Sequence, residues 1–267
     1  MDNKPNVTDR FLGTCFRRRL RGFLRLWGLS GRDTHATIRA ISSKGPVFEL
    51  SPFSYIDSIV LRSGYYESEV IDAILSELSD GVLWDIGADF GLHGLTAKFQ
   101  RRESRVVCFE PSVAMLGRLC RNCALNDLEV EIVGVALSNR TGFQTLFVGP
   151  DGNPGMSTLS PWSGASYSGS QLVAVFRGDD LLEQGLIARP TVIKLDVEGH
   201  ELSVLEGMPK TLNLPSLRAV VFEDSSDNGS EVKKLLRDAG FECAVLLRRE
   251  NSAHLLENFI ARRSPHV

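Results

Sequence analysis

The chain has 267 residues, 43% hydrophobic and 24% charged, with a formal net charge of −3. That length suits one large domain with an elaboration better than two independent domains. The charge offers no global attraction to nucleic acid or anionic lipid, and five cysteines in so long a chain form no small secreted disulfide framework.

Residues 1–10 are polar. Residues 11–27 read FLGTCFRRRLRGFLRLW, with Leu12, Cys15, Phe16, Phe23 and Trp27 at roughly helical spacing and Arg17, Arg18, Arg19, Arg21 and Arg25 between them. This predicts a basic amphipathic helix. Such a helix docks on its own domain with a solvated basic face, or makes peripheral contact with a membrane or an acidic partner. The arginines interrupt any signal-like apolar stretch, and no run approaches the ~20 residues of a membrane span, so the expected compartment is the cytoplasm. Residues 1–54 are read as an N-terminal extension and 55–267 as the main domain.

Short apolar runs and turn signals such as Gly45-Pro46 and Ser51-Pro52 fill residues 30–60. A helix is predicted over Glu67–Leu78, and a regular alternation follows. Strands are expected at Val82–Ile86, Arg105–Glu110, Val130–Ala136, Thr191–Asp196 and Leu217–Glu223. Helical patterns run to about Gln100, over Val113–Leu125, from near His200, and over Ser230–Ala239. Phe241–Leu247 and Leu255–Arg262 close the chain as two successive strands, suited to an antiparallel edge hairpin. Alternation of this kind predicts an α/β fold with a mostly parallel, Rossmann-like sheet covered on both faces. Ser138–Ser170, rich in Gly, Ser and Pro, interrupts it with one extra strand at Phe143–Val148 and reads as a lid, a substrate loop or a mobile segment. Cys120 and Cys123 have metal-ligand spacing without a second pair. On a helix they are expected to pack inward, and no metal site is expected.

The strongest local signal is Asp85-Ile-Gly87-Ala-Asp89-Phe-Gly91, after an apolar strand and before a helix. Glycines there allow a tight turn and close approach of a ligand to backbone N–H groups. The alternative is a simple turn at a sheet edge. The loop lacks the three-glycine dinucleotide pattern, and its acids would repel a pyrophosphate while welcoming a sulfonium. That favours S-adenosylmethionine over NAD. Glu110, at the next strand end and followed by Pro111, is placed to accept hydrogen bonds from ribose hydroxyls. Ala136 to Ser138, at the third strand end, is where an adenine would rest. The fourth strand ends in Lys194-Leu-Asp196-Val-Glu198-Gly-His200-Glu201, a charged cluster on the same carboxyl edge of the sheet. The plain alternative is a helix start with acids favoured by the dipole.

IKLDVEGHELSVLEGM resembles the signature of the FkbM family of methyltransferases, and DIGADFG resembles its cofactor loop. Gly64-Tyr65-Tyr66-Glu67, Phe109-Glu110-Pro111, Asn122 through Asn126, and Ala136-Leu-Ser138 add to the likeness, which covers about residues 55–262. The resemblance implies a class I methyltransferase fold, with a seven-stranded sheet and an antiparallel strand in the final hairpin. It also implies O-methyl transfer from S-adenosylmethionine to a hydroxyl of a small molecule or glycan. By position, Asp85, Gly87 and Gly91 would hold the methionine end and Glu110 the ribose. Asp89 stands where the family commonly has Asn, adding a charge near the sulfonium.

Asp196 and His200 lead as candidates for the base that removes the acceptor's proton, with Glu198 next. For His200 the alternative is that it orients substrate or caps the helix. Glu223-Asp224 is a further candidate for the acceptor site, and Trp162 and Tyr167 are candidates for stacking on a sugar. A non-catalytic binding module on this scaffold, an NAD-dependent oxidoreductase and a nucleic-acid methyltransferase are the rivals. The retained glycines and Glu110 weigh against the first, the acidic loop against the second, and the net charge against the third.

Overall fold

The computed structural model describes residues 37–225, 229–246 and 256–263, so the arginine-rich segment 11–27 lies outside the described residues. A hairpin comes first, β1 (Ile38–Ile41) and β2 (Val47–Leu50), then helices α1 (Tyr55–Ser63) and α2 (Ser68–Leu78). The alternation follows as β3 (Val82–Ile86), α3 (Leu92–Gln100), β4 (Arg105–Phe109), α4 (Val113–Asn126) and β5 (Glu131–Val133). Next come β6 (Ala136–Leu137), β7 (Gly142–Val148), β8 (Gly169–Phe176) and α5 (Gly178–Glu183). The last part holds β9 (Val192–Leu195), α6 (Glu201–Glu206), α7 (Pro209–Leu212), β10 (Ala219–Ser225), α8 (Glu231–Asp238), β11 (Phe241–Val245) and β12 (Leu256–Arg263).

Seven strands form one sheet in the order β11-β12-β10-β9-β3-β4-β5. β12 runs antiparallel to both β10 and β11, while β10, β9, β3, β4 and β5 pair in parallel. This is the Rossmann-like sheet with a terminal antiparallel hairpin that the alternation predicts. Its strands read as continuous apolar runs because both faces are covered. Leu83, Val106, Val192, Val221 and Ile260 enter one core with α2 and α3, while Trp84, Val107, Ile193, Val220 and Phe259 enter the other. The chain builds outward from β3 to β5, then returns to β9 on the other side of β3. The crevice at the carboxyl ends of β3 and β9 is therefore the topological switch point, where open α/β sheets take ligands.

Two expectations are corrected. The strand predicted over Val130–Ala136 is split: Glu131–Val133 stays in the main sheet, the Val135 N–H turns back on the Val133 carbonyl (2.9 Å), and Ala136 starts β6. β6 belongs to a separate three-stranded sheet, β6-β8-β7, in which the expected extra strand, Gly142–Val148, pairs with β8. The cysteines do not pack inward as a pair. Cys123 is half-buried against the core but Cys120 is exposed, while Met115, Leu119 and Asn122 form the buried stripe of α4.

The segment 38–50, read as part of the extension, packs on the main domain. Asn126 Oδ1 accepts from the Val47 N–H (2.7 Å) and its Nδ2 donates to the Val47 carbonyl (2.7 Å). Asn122 Oδ1 accepts from the Glu49 N–H (2.9 Å) while its Nδ2 donates to the Phe90 carbonyl (2.9 Å). Phe48 meets Phe90 edge-on at 5.8 Å. One amide on α4 thus joins the hairpin to the loop after β3. Among the described residues, no helix is long and apolar enough to cross a membrane.

Candidate active site

A cleft opens at the switch point, where open α/β sheets take ligands. Gly87, Ala88, Asp89 and Phe90 line it from the β3 loop, Phe109, Glu110 and Pro111 from β4, and Val135 to Leu137 from the third strand end. Lys194, Asp196, Val197, Glu198 and His200 line it from β9, and Pro154 to Leu159 of the insertion form another wall. The candidates Gly87, Asp89, Glu110, Ala136, Asp196, Glu198 and His200 therefore share one cavity. Asp85 and Gly91 do not line it.

Asp85 lies beneath the loop. Register places it beside Lys194 on β9. Its Oδ2 accepts the Gly94 N–H at the start of α3 (2.9 Å), and Oδ1 lies 3.4 Å from Lys194 Nζ. Burial raises its pKa, against the pull of Lys194. Lys194 was not singled out from the sequence as a site residue, yet it is the hub: its Nζ donates to the Gly87 carbonyl (2.7 Å) and lies 3.3 Å from Asp196 Oδ2. Burial alone would lower the Lys194 pKa, but Asp196 and Asp85 hold it above the ordinary value. The cation is thus a buried, doubly paired strut between two strand ends. A cation flanked by acids on an otherwise apolar strand was its only sequence signal.

Gly87, at φ 77°, donates its N–H to the Phe109 carbonyl (3.0 Å). A Cβ there would lie 1.8 Å from the Asp196 carbonyl oxygen, so loop and β9 meet backbone to backbone. Glu110 is buried, and its two carboxyl oxygens accept the Asp89 N–H and the Ser112 N–H (both 2.8 Å). Burial and the nearby Asp89 push its pKa up to about 8. Each oxygen keeps a lone pair for a hydroxyl, and a vicinal diol supplies two. Asp89 is left-handed (φ 51°) and half-buried, with its Oδ1 enclosed and unpartnered and its pKa pushed up to about 6 by burial. Behind it Arg118 bonds Asp57 (2.7 Å) and lies over the Phe90 ring at 4.6 Å.

Glu198 is also left-handed (φ 58°), and burial together with the Asp196 charge pushes its pKa up to about 9. His200, buried at the start of α6, has both ring nitrogens engaged: Nε2 with Ser138 Oγ (2.9 Å) and Nδ1 with Ser160 Oγ (2.8 Å). A neutral imidazole has one donor and one acceptor nitrogen, and a serine hydroxyl satisfies either. Burial lowers the His200 pKa and keeps the ring neutral. Nearby, Thr158 Oγ1 donates to the Glu198 carbonyl (2.8 Å), and Trp162 packs so closely on Gly199 that a Cβ there would lie 2.7 Å from its Nε1. The insertion is thereby clasped to the β9–α6 turn. Neither serine was legible as a partner, because they lie 62 and 40 residues from His200. His93 also lines the cleft. It meets Tyr65 edge-on at 6.0 Å, its Nε2 is buried without a hydrogen-bond partner, and burial takes its pKa down to about 3.

The donor set fits an adenosyl sulfonium. A diol acceptor lies at Glu110, an apolar shelf at Ala136–Leu137, a side-chain-free approach at Gly87, and acids at the far end. A pyrophosphate would instead meet Asp89, Glu110, Asp196 and Glu198 with Lys194 already paired.

Comparison with known proteins agrees in kind. Residues 85–243 match the family described as methyltransferase FkbM domain. Over 203 residues the chain is 33% identical to hexuronic acid methyltransferase AglP of Haloferax volcanii, covering 69% of this chain and 78% of that protein. Methyltransferase sdnD of Sordaria araneosa is 30% identical over 196 residues, covering 61% of this chain and 74% of its own. Among solved structures, P. horikoshii TYW2 in complex with MeSAdo superposes with a TM-score of 0.49 at 10% identity, covering 91% of this chain and 80% of that one.

Proposed function

The chain belongs to the FkbM methyltransferase family and is an S-adenosylmethionine-dependent methyltransferase, and from its site we propose that it methylates a hydroxyl oxygen of a sugar, in a glycan or a small glycoside. The likeness to a hexuronic acid methyltransferase supports the sugar. The observation that carries the reading is the convergence of Glu110, Gly87 and the Asp196–Glu198 pair on one cleft.

The cofactor supplies an electrophilic methyl group on a cationic sulfur. Glu110 would hold the ribose diol, Ala136 and Leu137 would floor the adenine, and Gly87 with Asp89 would border the methionine end. Asp85 acts from below, fixing Lys194 and the start of α3 rather than touching the ligand. The cleft would contribute mainly by positioning an acceptor hydroxyl against that methyl group, with a base taking the hydroxyl proton. Burial and the neighbouring Asp196 charge raise the Glu198 pKa, which favours its protonated form. Asp196, which Lys194 orients at 3.3 Å, is the proton acceptor in this reading. His200 positions the insertion, since both its nitrogens are engaged.

The test is incubation with methyl-labelled donor and a panel of hexuronic acid glycosides, neutral glycosides, glycolipids and polyketides, read by mass spectrometry and alkaline treatment. An alkali-stable methyl ether on a sugar is the expected product. An alkali-labile ester, or methylation of polyketides alone, would overturn the acceptor assignment.

A further inference from the structure

Lys194 is the sole ammonium or guanidinium among the described residues that line the cleft, and its three N–H donors already have three acceptors. They are the Gly87 carbonyl (2.7 Å), Asp196 Oδ2 (3.3 Å) and Asp85 Oδ1 (3.4 Å). The two histidines that line the cleft add no cation, because burial lowers the pKa of each. His200 has both nitrogens on serines. The backbone of Glu67 and Tyr66 takes the His93 proton, so its Nε2, which has no partner on a side chain 7% exposed, is a buried lone pair. The hydroxyls of Ser157 and Thr158 donate to the Pro154 and Glu198 carbonyls (both 2.8 Å). Arg140, whose charge reaches His200, is exposed and does not line the cleft.

Acids crowd the same end. Asp196 and Glu198 line it, and the charges of Asp196, Glu223 and Glu201 add to burial in raising the Glu198 pKa. Tyr66, between α1 and α2, is kept protonated by burial first and then by Glu67, Asp196 and Glu223. An incoming group therefore meets acceptors and negative charge, which reward a hydrogen-bond donor and oppose a carboxylate. The cofactor's own carboxylate arrives beside its own ammonium, whereas a uronate brings an uncompensated charge. We propose that this end of the cleft selects the acceptor sugar by charge, taking a neutral or amine-bearing sugar and rejecting a uronate, although the hexuronic acid methyltransferase AglP is a relative. The inference rests on the reading of the cleft as a site of sugar O-methylation and narrows its substrate class.

The experiment uses the full chain, methyl-labelled S-adenosylmethionine and methyl glycosides of glucose, mannose and galactose, each as parent sugar, amino sugar, uronate and uronamide. The uronamide matches the uronate in shape without its charge. Parent sugar, amino sugar and uronamide should be methylated. The uronate should have a kcat/KM at least about 10-fold below its amide, the scale of an uncompensated like charge in a partly desolvated site. High salt should narrow that gap by screening. Glu223→Gln should narrow it too, since it removes a charge bearing on Tyr66 and Glu198 and leaves Asp196 in place. A uronate used as well as its amide, a labelled ester on the uronate carboxylate, or a gap that neither salt nor Glu223→Gln reduces would overturn the charge selection. If S-adenosylhomocysteine bound by calorimetry yet no sugar of the series were methylated, the sugar reading itself would fall and this inference with it.

Discussion

Replacing Gly87 with Ala puts a methyl group where the structure has none to spare. The new Cβ would start 1.8 Å from the Asp196 carbonyl oxygen, and real Cβ atoms keep beyond 3.0 Å, so backbone must move by more than an ångström. Both sides resist: the Gly87 N–H is tied to Phe109 (3.0 Å) and the Asp196 N–H to Ile86 (3.1 Å). A left-handed φ adds about 1–2 kcal/mol for a residue with a side chain, and overpacking adds about 1–3 kcal/mol. The expected loss is therefore about 2–5 kcal/mol, or about 4–20 °C in melting temperature for a chain of this size. Shifting the loop by that distance also displaces Asp89 and its bond to Glu110, so S-adenosylhomocysteine affinity should fall about 100-fold. Gly91→Ala is the control. Its φ is 91°, but the added atom meets the ends of Leu119 and Leu95, which can yield. It should cost about 1–2 kcal/mol and leave affinity nearly intact. Urea titration and calorimetry of both variants decide the matter. Wild-type affinity and stability in Gly87→Ala would refute the backbone contact as the feature that shapes the cleft.

Arg118→Ala removes the cation shared by buried Asp57 and the field of Asp89, and should destabilise by about 3–5 kcal/mol, read as a lower urea midpoint at unchanged slope. Glu110 has a folded pKa of about 8 against an ordinary 4.5. The native state thus keeps a proton that the unfolded chain releases, and this contribution, present below pH 4.5, is lost as pH rises towards 8. Urea midpoints of the ligand-free protein across that window should fall with pH, and less steeply in Glu110→Gln; equal slopes would remove Glu110 as the source. Ser160→Ala should raise the acceptor KM and leave the cofactor Kd and the pH–rate profile unchanged, as expected of a clasp. Loss of one limb of the pH profile in His200→Asn would instead mark the imidazole as the base.

Most of the main sheet was legible because its strands are short apolar runs between turn signals, and burial on both faces leaves no alternation to confuse. β8 was missed because Gly169-Ser-Gln opens it in the idiom of a loop, and β1–β2 because each strand has only four residues. Motif spacing found the residues that meet in the cleft. It did not separate those that line it from those that brace it. Asp85 and Glu110 both end or nearly end apolar strands, yet Asp85 faces α3 and Lys194, a distinction set by register and pleat. The partners of His200 arrive from distant segments, and local pattern carries no record of them.

The amide of Asn122 holds β2 with its oxygen and the cofactor loop with its nitrogen. A tug on the chain ahead of Ile38 has a short mechanical route to Phe90, one residue from Asp89. Trimming the polypeptide at residue 55 would strip Phe48 and Leu50 from the core and leave that amide with an idle oxygen. The part of the sequence with the faintest likeness to a methyltransferase thereby braces its most characteristic loop.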